Sequence, residues 1–184
     1  MIEISLHILD IAQNSIKANA SLVEIAVEEN TQSNQLIVII KDDGCGMSPE
    51  FLKDVTNPFR TTRTTRKVGL GLSMFKSAAE LTGGSFLITS EVGVGTEVKA
   101  TFVYDSIDRQ PLGDMASTVS TIISGHPQID YIYRHSYNGN EFELNTRELR
   151  KVLGDEVSLS EIDVVNWIED YINEGIQNIY GGAQ

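Results

Sequence analysis

Two runs rich in Val and Ile, Ser21 to Glu29 and Gln35 to Lys41, flank the polar stretch Asn30-Thr31-Gln32-Ser33-Asn34, a pattern that predicts a hairpin. The segments around that hairpin restrict the fold further. Ahead of it, Ile4, Ile8, Ile11 and Ser15, with Leu9, Ala12 and Ile16 beside them, recur at helical spacing. His7, Asp10, Asn14 and Lys17 then share the polar stripe of that helix. After the hairpin, Ser48-Pro49-Glu50 combines an N-cap with proline at the first helical position and opens a short helix to about Val55. Residues 56 to 68 show no period; a helical pattern returns from Leu70 to Leu81 and is stopped by Gly83-Gly84. Strands near Phe86 to Glu91 and Glu97 to Tyr104 flank the tight turn Val92-Gly93-Val94-Gly95. This order points away from an alternating parallel sheet and toward a largely antiparallel one with helices on one face, two layers around one core.

Asp105 to Pro111 loses periodicity, gathers charge and ends in proline, which predicts a linker at 105–111 between a unit of residues 1–104 and a small acidic α+β domain at 112–184. Beyond it the pattern predicts a helix over 113–124 stopped by Gly125-His126-Pro127. Strands over 129–137 and 141–145 meet at Asn138-Gly139, and a brief helix ends at Gly154. The last helix opens with Ser158-Leu159-Ser160-Glu161, a capping box, and is expected to bury Ile162, Val165, Ile168, Ile172, Ile176 and Ile179. Tyr131, Tyr133 and Tyr137, with Trp167 and Tyr171, have spacings that suit a core and leave a partner surface as the alternative.

Charge excludes some functions. A formal net charge of -12 argues against a phosphate-backbone binder, so no nucleic-acid partner is expected. Residues 105 to 184 hold 14 acids and 5 bases, net -9, an acidic surface suited to a protein partner. The positive charge gathers elsewhere: Arg60, Arg63, Arg66 and Lys67 put four of the 14 basic residues into eight positions, where something anionic is expected. A single cysteine, Cys45, excludes an intramolecular disulfide, and three scattered histidines argue against structural zinc. No apolar stretch approaches the roughly 20 residues needed to span a bilayer and no leader pattern opens the chain, so a cytoplasmic location without membrane contact is expected.

Three short motifs carry chemistry. Asp10 and Asn14, at i and i+4, project from one helix face and together suit a magnesium ion and a polarised water. In Lys41-Asp42-Asp43-Gly44-Cys45-Gly46-Met47 a strand ends in two carboxylates and two glycines, a turn that lets backbone approach a planar ligand closely. A carboxylate at the base of an apolar pocket can accept from an exocyclic amine, which distinguishes adenine from guanine. Gly69-Leu70-Gly71 immediately precedes a predicted helix, where unpaired N–H groups can face a phosphate. Residues 56 to 68, rich in Thr and Arg, have the composition of a phosphate-binding lid. Taken singly, each has an ordinary reading as a solvated stripe, an edge turn or a polar loop.

Together and in this order, the motifs resemble the GHKL superfamily of ATPases, which includes histidine kinases, gyrase B-type topoisomerases, MutL-type repair proteins and heat-shock chaperones. The resemblance covers residues 1 to about 104 and implies the Bergerat fold, a two-layer α/β sandwich with a mixed, mostly antiparallel sheet. Asp10-Ile11-Ala12-Gln13-Asn14 resembles the N box, implying Asn14 as magnesium ligand and Asp10 in the place of a general-base Glu. Asp42, Gly44 and Gly46, followed by Met47, resemble the first glycine box, with Asp42 on the adenine; Lys17 joins the implied nucleotide contacts. Pro58-Phe59-Arg60-Thr61-Thr62 resembles the phenylalanine box and the start of the lid. Gly69, Gly71 and Ser73 resemble the second glycine box, with Val68, Leu70 and Leu72 among the implied nucleotide contacts, and Gly93-Val94-Gly95-Thr96 resembles the late turn whose Thr lies near the adenine.

Departures from the family shape the functional expectation. Met1 almost abuts the N box, leaving no hairpin with an acceptor histidine ahead of it, so the chain is expected to act on a separate protein rather than as a complete histidine kinase. His7, one turn from Asp10, is not expected to be an acceptor. The principal expectation is a stand-alone, ATP- and Mg²⁺-dependent, kinase-like or ATPase regulator acting in trans. The alternative is a non-catalytic ATP switch or accessory subunit, since residues 105–184 resemble the tails of small ATP-binding proteins encoded near hydrogenase and electron-transfer subunits. A MutL-like ATPase fits the short acidic chain less well.

Overall fold

The computed structural model describes residues 2–57 and 68–181. The hairpin forms as the sequence predicts, with β1 (Leu22–Asn30) antiparallel to β2 (Gln35–Asp42). Alternation decides which side of each strand is dry. Val23, Ile25 and Val27 of β1 and Leu36, Val38 and Ile40 of β2 face inward and are buried, whereas Glu24, Glu28 and Lys41 face the other way. Each such aliphatic side chain contributes roughly 1.5–3 kcal/mol on burial. The inward rows are covered by α1 (Ile4–Lys17), which lays Ile4, Ile8, Ile11 and Ala12 on the sheet, and by α3 (Val68–Leu81), which contributes Leu72, Phe75 and Ala79. Between the hairpin and α3 comes α2 (Pro49–Asp54), whose N-cap Ser48 accepts from the Phe51 N–H as predicted. The second hairpin, β3 (Ser85–Glu91) and β4 (Gly95–Val103), adds Ile88, Val98, Ala100 and Phe102 to the same face.

Residues beyond 104 correct the expected domain plan. After α4 (Met115–Gly125), strand β5 (Asp130–Tyr137) pairs in parallel with β1, from Leu22 opposite Asp130 to Glu29 opposite Tyr137. The hairpin partner of β5, β6 (Asn140–Asn145), turns at Asn138 and Gly139, with φ of 47° and 91°. The result is one six-stranded sheet, in the order β3-β4-β2-β1-β5-β6, with every neighbouring pair antiparallel except β1 and β5. A continuous core runs from Phe75 and Phe102 through Ile8 and Ile25 to Tyr133 and Ile172. So 112–181 extends the first unit's two layers instead of forming a small domain of its own, because β1 would otherwise keep an open edge.

The expected linker at 105–111 is likewise part of the body. The α1 N-terminus has no side-chain cap; the Ile4 and Ser5 N–H groups donate instead to the carbonyls of Pro111 and Leu112, at 3.0 and 2.9 Å. Arg109 lies over the Tyr104 ring and donates to the Tyr104 carbonyl.

At the C-terminal end, α5 (Thr146–Leu153) starts on an Asn145 cap and stops at Gly154, and α6 (Ile162–Gly181) completes the helical layer against α4. The buried row of α6 is Val164, Ile168, Ile172, Gly175 and Ile179, which corrects the stripe expected from the sequence. Ile162 stays exposed and Val165 is only partly covered, since the inward face starts at the third helical residue. The capping box is half made: Glu161 accepts from the Ser158 N–H at 3.4 Å, while the Ser158 hydroxyl serves Ser160. Near its end α6 is pinned through Tyr180, which donates to Glu29 on β1. That carboxylate also meets His135 Nε2 at 2.7 Å, and His135 Nδ1 meets the Tyr133 hydroxyl at 2.8 Å. Burial works to raise the Glu29 pKa, but the hydrogen bonds from His135 and Tyr180 outweigh it and hold the carboxyl below its usual range.

Because the sheet and core are continuous, urea unfolding is expected to show one transition, with coincident midpoints by Trp167 fluorescence and far-UV circular dichroism. Replacing Glu29 by Ala strands the buried His135 and is expected to remove about 3 kcal/mol from both probes together. Two separated transitions would restore the two-domain reading.

Candidate functional site

The inward row of β2 does not end in an apolar residue. Leu36, Val38 and Ile40 are followed by Asp42, a carboxylate 9% exposed on the core side of the sheet. Its charge is met by two donors: the Ser15 hydroxyl of α1 reaches Oδ2 at 2.6 Å and the Gly44 N–H reaches Oδ1 at 2.9 Å. Each oxygen keeps acceptor capacity beyond those bonds. Directly across the sheet, Asp42 pairs with Thr96, which pairs with Ser90 on β3; the two hydroxyls lie 2.8 Å apart. Ser90 also accepts from the Met47 N–H at 2.8 Å, tying the β2 turn to β3.

Around this polar floor lies a cavity of about 470 Å³, in the range of small-molecule sites. Its walls are mostly apolar: Ile11, Ala18, Ile40, Met47, Phe51, Leu72, Ile88 and Val98. Asn14 and Lys17 reach it from α1, and Cys45, Gly46 and Ser48 from the turn. The turn is strapped on both sides, since the Cys45 N–H donates to the Ala18 carbonyl and the Gly93 N–H to the Cys45 carbonyl. Two glycines are required by space. Gly46 has φ of 69° and a Cβ there would sit 2.0 Å from the Glu91 carbonyl oxygen; Gly95 has φ of 141° and its Cβ would sit 2.0 Å from that of Asp42. The second carboxylate of the turn has a different task. Burial opposes its charge, but the Ser21 hydroxyl and the Ser21 and Leu22 N–H groups lower the Asp43 pKa, so Asp43 fastens the start of β1 and is not part of this cavity's lining.

Of the residues singled out from the sequence, Asn14, Lys17, Asp42, Gly46, Met47, Leu72 and Thr96 line this cavity, and Gly44 lies beneath it as a donor to Asp42. Asp10 is exposed and outside the lining, but it adjoins the second glycine motif: a Cβ on Gly71 would be 3.5 Å from that of Asp10. Val68, Gly69, Leu70 and Gly71 form the first turn of α3, which corrects the expectation that the glycines precede the helix. N–H groups in a first turn lack intrahelical partners, so the capacity to bind an anion is kept. Leu70 is exposed. Phe59, Arg60, Thr61 and Thr62 lie outside the described residues.

His7 is the clear misreading of the polar stripe. It is 3% exposed, stacks on Phe75 of α3 with centroids 5.3 Å apart and meets Gln110 at 2.9 Å through Nε2. Burial lowers its pKa, with Gln110 and Asp10 acting the other way. The sequence reasoning also passed over Ser15 and Ser90, whose signal lies in register: Ser15 falls on the buried side of α1, and Ser90 stands opposite Thr96.

Comparison with known proteins bears on this arrangement. A family model described as histidine kinase-, DNA gyrase B-, and HSP90-like ATPase matches residues 2–106. A putative sensor protein of Shewanella frigidimarina is 35% identical over 97 residues, which cover 52% of this chain and 15% of that protein. Histidine protein kinase DivJ of Caulobacter vibrioides is 30% identical over 95 residues, covering 50% and 16%. The chain therefore spans less than a fifth of the length of these relatives. Among solved structures, the N-terminal domain of a DNA repair protein aligns with a TM-score of 0.60 at 14% identity, covering 84% of this chain and 58% of that one. The Aquifex aeolicus MutL ATPase domain complexed with ADP aligns with a TM-score of 0.50 at 16% identity, covering 83% and 70%. Both share the fold, and both alignments extend past the residues that the family model matches.

The buried His7 gives a pH dependence of definite sign. With its folded pKa lowered, the unfolded chain takes up the proton first as pH falls below the ordinary imidazole value of about 6.5. Stability is complete above that value and declines as pH drops toward the folded one. Urea unfolding from pH 8 to 5 is expected to show a steeper loss for the wild type than for His7→Gln; equal slopes would refute it.

Proposed function

Because this chain belongs to the family of histidine kinase-, DNA gyrase B- and HSP90-like ATPases, we propose that it binds Mg-ATP and delivers its output, as phosphoryl transfer or ATP hydrolysis, to a separate protein. The observation that carries the nucleotide reading is the buried Asp42 on the floor of a cavity whose walls are mostly apolar. In this reading Asp42 accepts from the exocyclic amine of adenine, and its bonds from Ser15 and Gly44 fix the carboxylate in orientation. The Thr96 hydroxyl, which lines the cavity and is held by Ser90, supplies a further polar contact at the ring edge. A purine with a carbonyl in place of that amine would set oxygen against oxygen, so guanine is rejected.

Asn14 and Lys17, which reach the cavity from α1, and the N–H groups of the first turn of α3 are assigned to the phosphates. Among the described residues no three His, Cys, Asp or Glu side chains gather into a metal cage. The available ligand is the Asn14 amide oxygen, a hard donor that suits a magnesium ion whose other positions are filled by water and nucleotide. Magnesium bound there would neutralise charge on the phosphate oxygens. Phe59, Arg60, Thr61 and Thr62 are assigned to the lid and the phosphates on sequence pattern alone. Asp10 is the candidate base that orients a water or an acceptor group.

A second reading is favoured by Asp10, which is exposed, stands outside the cavity lining and is one methylene shorter than the Glu that the family resemblance leads one to expect. A carboxylate so placed suits slow turnover, in which bound ATP acts as a conformational switch within a larger assembly. The two readings separate on incubation with γ-labelled ATP and extract from the native source. Label on a partner supports transfer; saturable binding without transfer or phosphate release supports the switch; no Mg-ATP binding at millimolar nucleotide refutes both. Asn14→Asp is expected to abolish Mg-ATP binding, and Asp10→Asn to spare binding while removing any turnover. Ser15→Ala is expected to weaken ATP about tenfold, the value of one hydrogen bond to a charged group; unchanged affinity in calorimetry would remove Asp42 from the adenine site.

A further inference from the structure

A second cavity, about 580 Å³, opens at the β6 end of the sheet and shares no lining residue with the first. It lies between α5 and α6, with Leu144, Leu149, Leu153 and Val164 as its floor. Trp167 and Tyr171 stack face to face along one wall, centroids 4.9 Å apart and planes 9° apart, yet remain 48% and 38% exposed. Val152 on the opposite wall is 84% exposed. A concave apolar surface with rigid aromatics left half in water is the form of an interaction site rather than of a finished core.

Charge identifies the occupant. Glu143, Glu148 and Asp163 rim the groove, and residues 154–181, which include all of α6, contain seven Asp or Glu and no Lys or Arg. Arg134 already pairs with Glu24 and Glu143, Lys151 with Glu148, and Arg147 and Arg150 with Asp130, so among the described residues the net negative charge of the rim comes from Asp163 and the other acids of α6. An anionic lipid surface or a nucleic acid would be repelled by such a rim. So would a second copy of this acidic chain, net -12. Val164, Trp167 and Tyr171 are spaced at i, i+3 and i+7, a helical ridge that accepts the ridge of another helix beside it.

We propose that this groove docks an amphipathic helix of a partner protein, with bulky apolar side chains on one face and Lys or Arg along its flanks. The proposal deepens the reading of a separate protein partner by giving it a place and a chemistry. It is tested without nucleotide, so its failure is distinguishable from failure of the ATP site.

Trp167 is the chain's single tryptophan, so its emission reports the groove directly. Titration of the full chain with a synthetic Leu/Lys peptide, leucines at helical spacing, is expected to shift that emission saturably, with affinity falling several-fold on raising salt from 50 to 300 mM. A peptide with Ser for Leu and one with Glu for Lys should both fail to saturate. Val152→Glu and Asp163→Lys should each weaken the Leu/Lys peptide at least fivefold while leaving the urea midpoint unchanged. Equal binding of the Ser peptide, equal binding of the Glu peptide, or full affinity in Val152→Glu would each overturn the proposal. So would a wild-type dimer in sedimentation that Val152→Glu dissolves, which would assign the groove to a second copy.

Discussion

The structure turns on one constraint, the obligation of β2 to bury alternate residues and the break of that rule at its last position. Leu36, Val38 and Ile40 satisfy it with aliphatic side chains; Asp42 continues the same row with a carboxylate. A lone charge there would be costly, and the surroundings are arranged around its satisfaction. Ser15 must lie on the sheet side of α1, which fixes the rotation of that helix and sends Asp10 and Lys17 to its exposed side. Gly44 must follow two residues on, with its N–H turned back, which sets the turn that carries Cys45 and Gly46 to the cavity. Gly95 must lack a side chain because the Asp42 backbone passes through the space. The cavity is therefore a consequence of how one buried carboxylate is accommodated.

The stretch that follows β4 supports this arrangement at a distance. Carbonyls of Pro111 and Leu112 satisfy the start of α1, and Gln110 reaches His7 under α3. Through these contacts the stretch after β4 holds the two helices that flank the cavity. The aromatic groove lies at the opposite edge of the same sheet, joined to the cavity by β5, β1 and β2 and by the row of α6, α4, α1 and α3. The two openings thus share one continuous sheet and core.

What was legible in the sequence was what local chemistry dictates. The Asn30–Asn34 and Asn138-Gly139 turns, the Ser48 cap and the period of α1 are each decided by residues within a few positions of one another. The glycine motifs were readable too, since steric requirements at Gly46 and Gly95 leave little other choice of residue. Long-range pairing was not. β1 and β5 are joined by no turn, and parallel strands about a hundred positions apart leave no mark in either sequence, so residues beyond 104 looked like a separate unit. His7 was assigned to the polar stripe by residue type; only the arrival of Phe75 and Gln110 from far along the chain makes it a core residue. Ser15 and Ser90 were missed for the same reason, as their partners come from other elements.

The buried Glu29 has a consequence for how the chain emerges during synthesis. β1 acquires β2 almost at once, but its other neighbour is about a hundred residues away, so the early hairpin has an open edge until β5 arrives. Such an edge invites pairing with foreign strands, and an inward-pointing charge is one known protection. Glu29 supplies that protection, because a wrong strand would have to desolvate it without compensation. The genuine β5 brings His135 to the same spot, and Tyr180 follows. One carboxylate thereby acts first as a guard against mispairing and later as the fastening of the finished sheet.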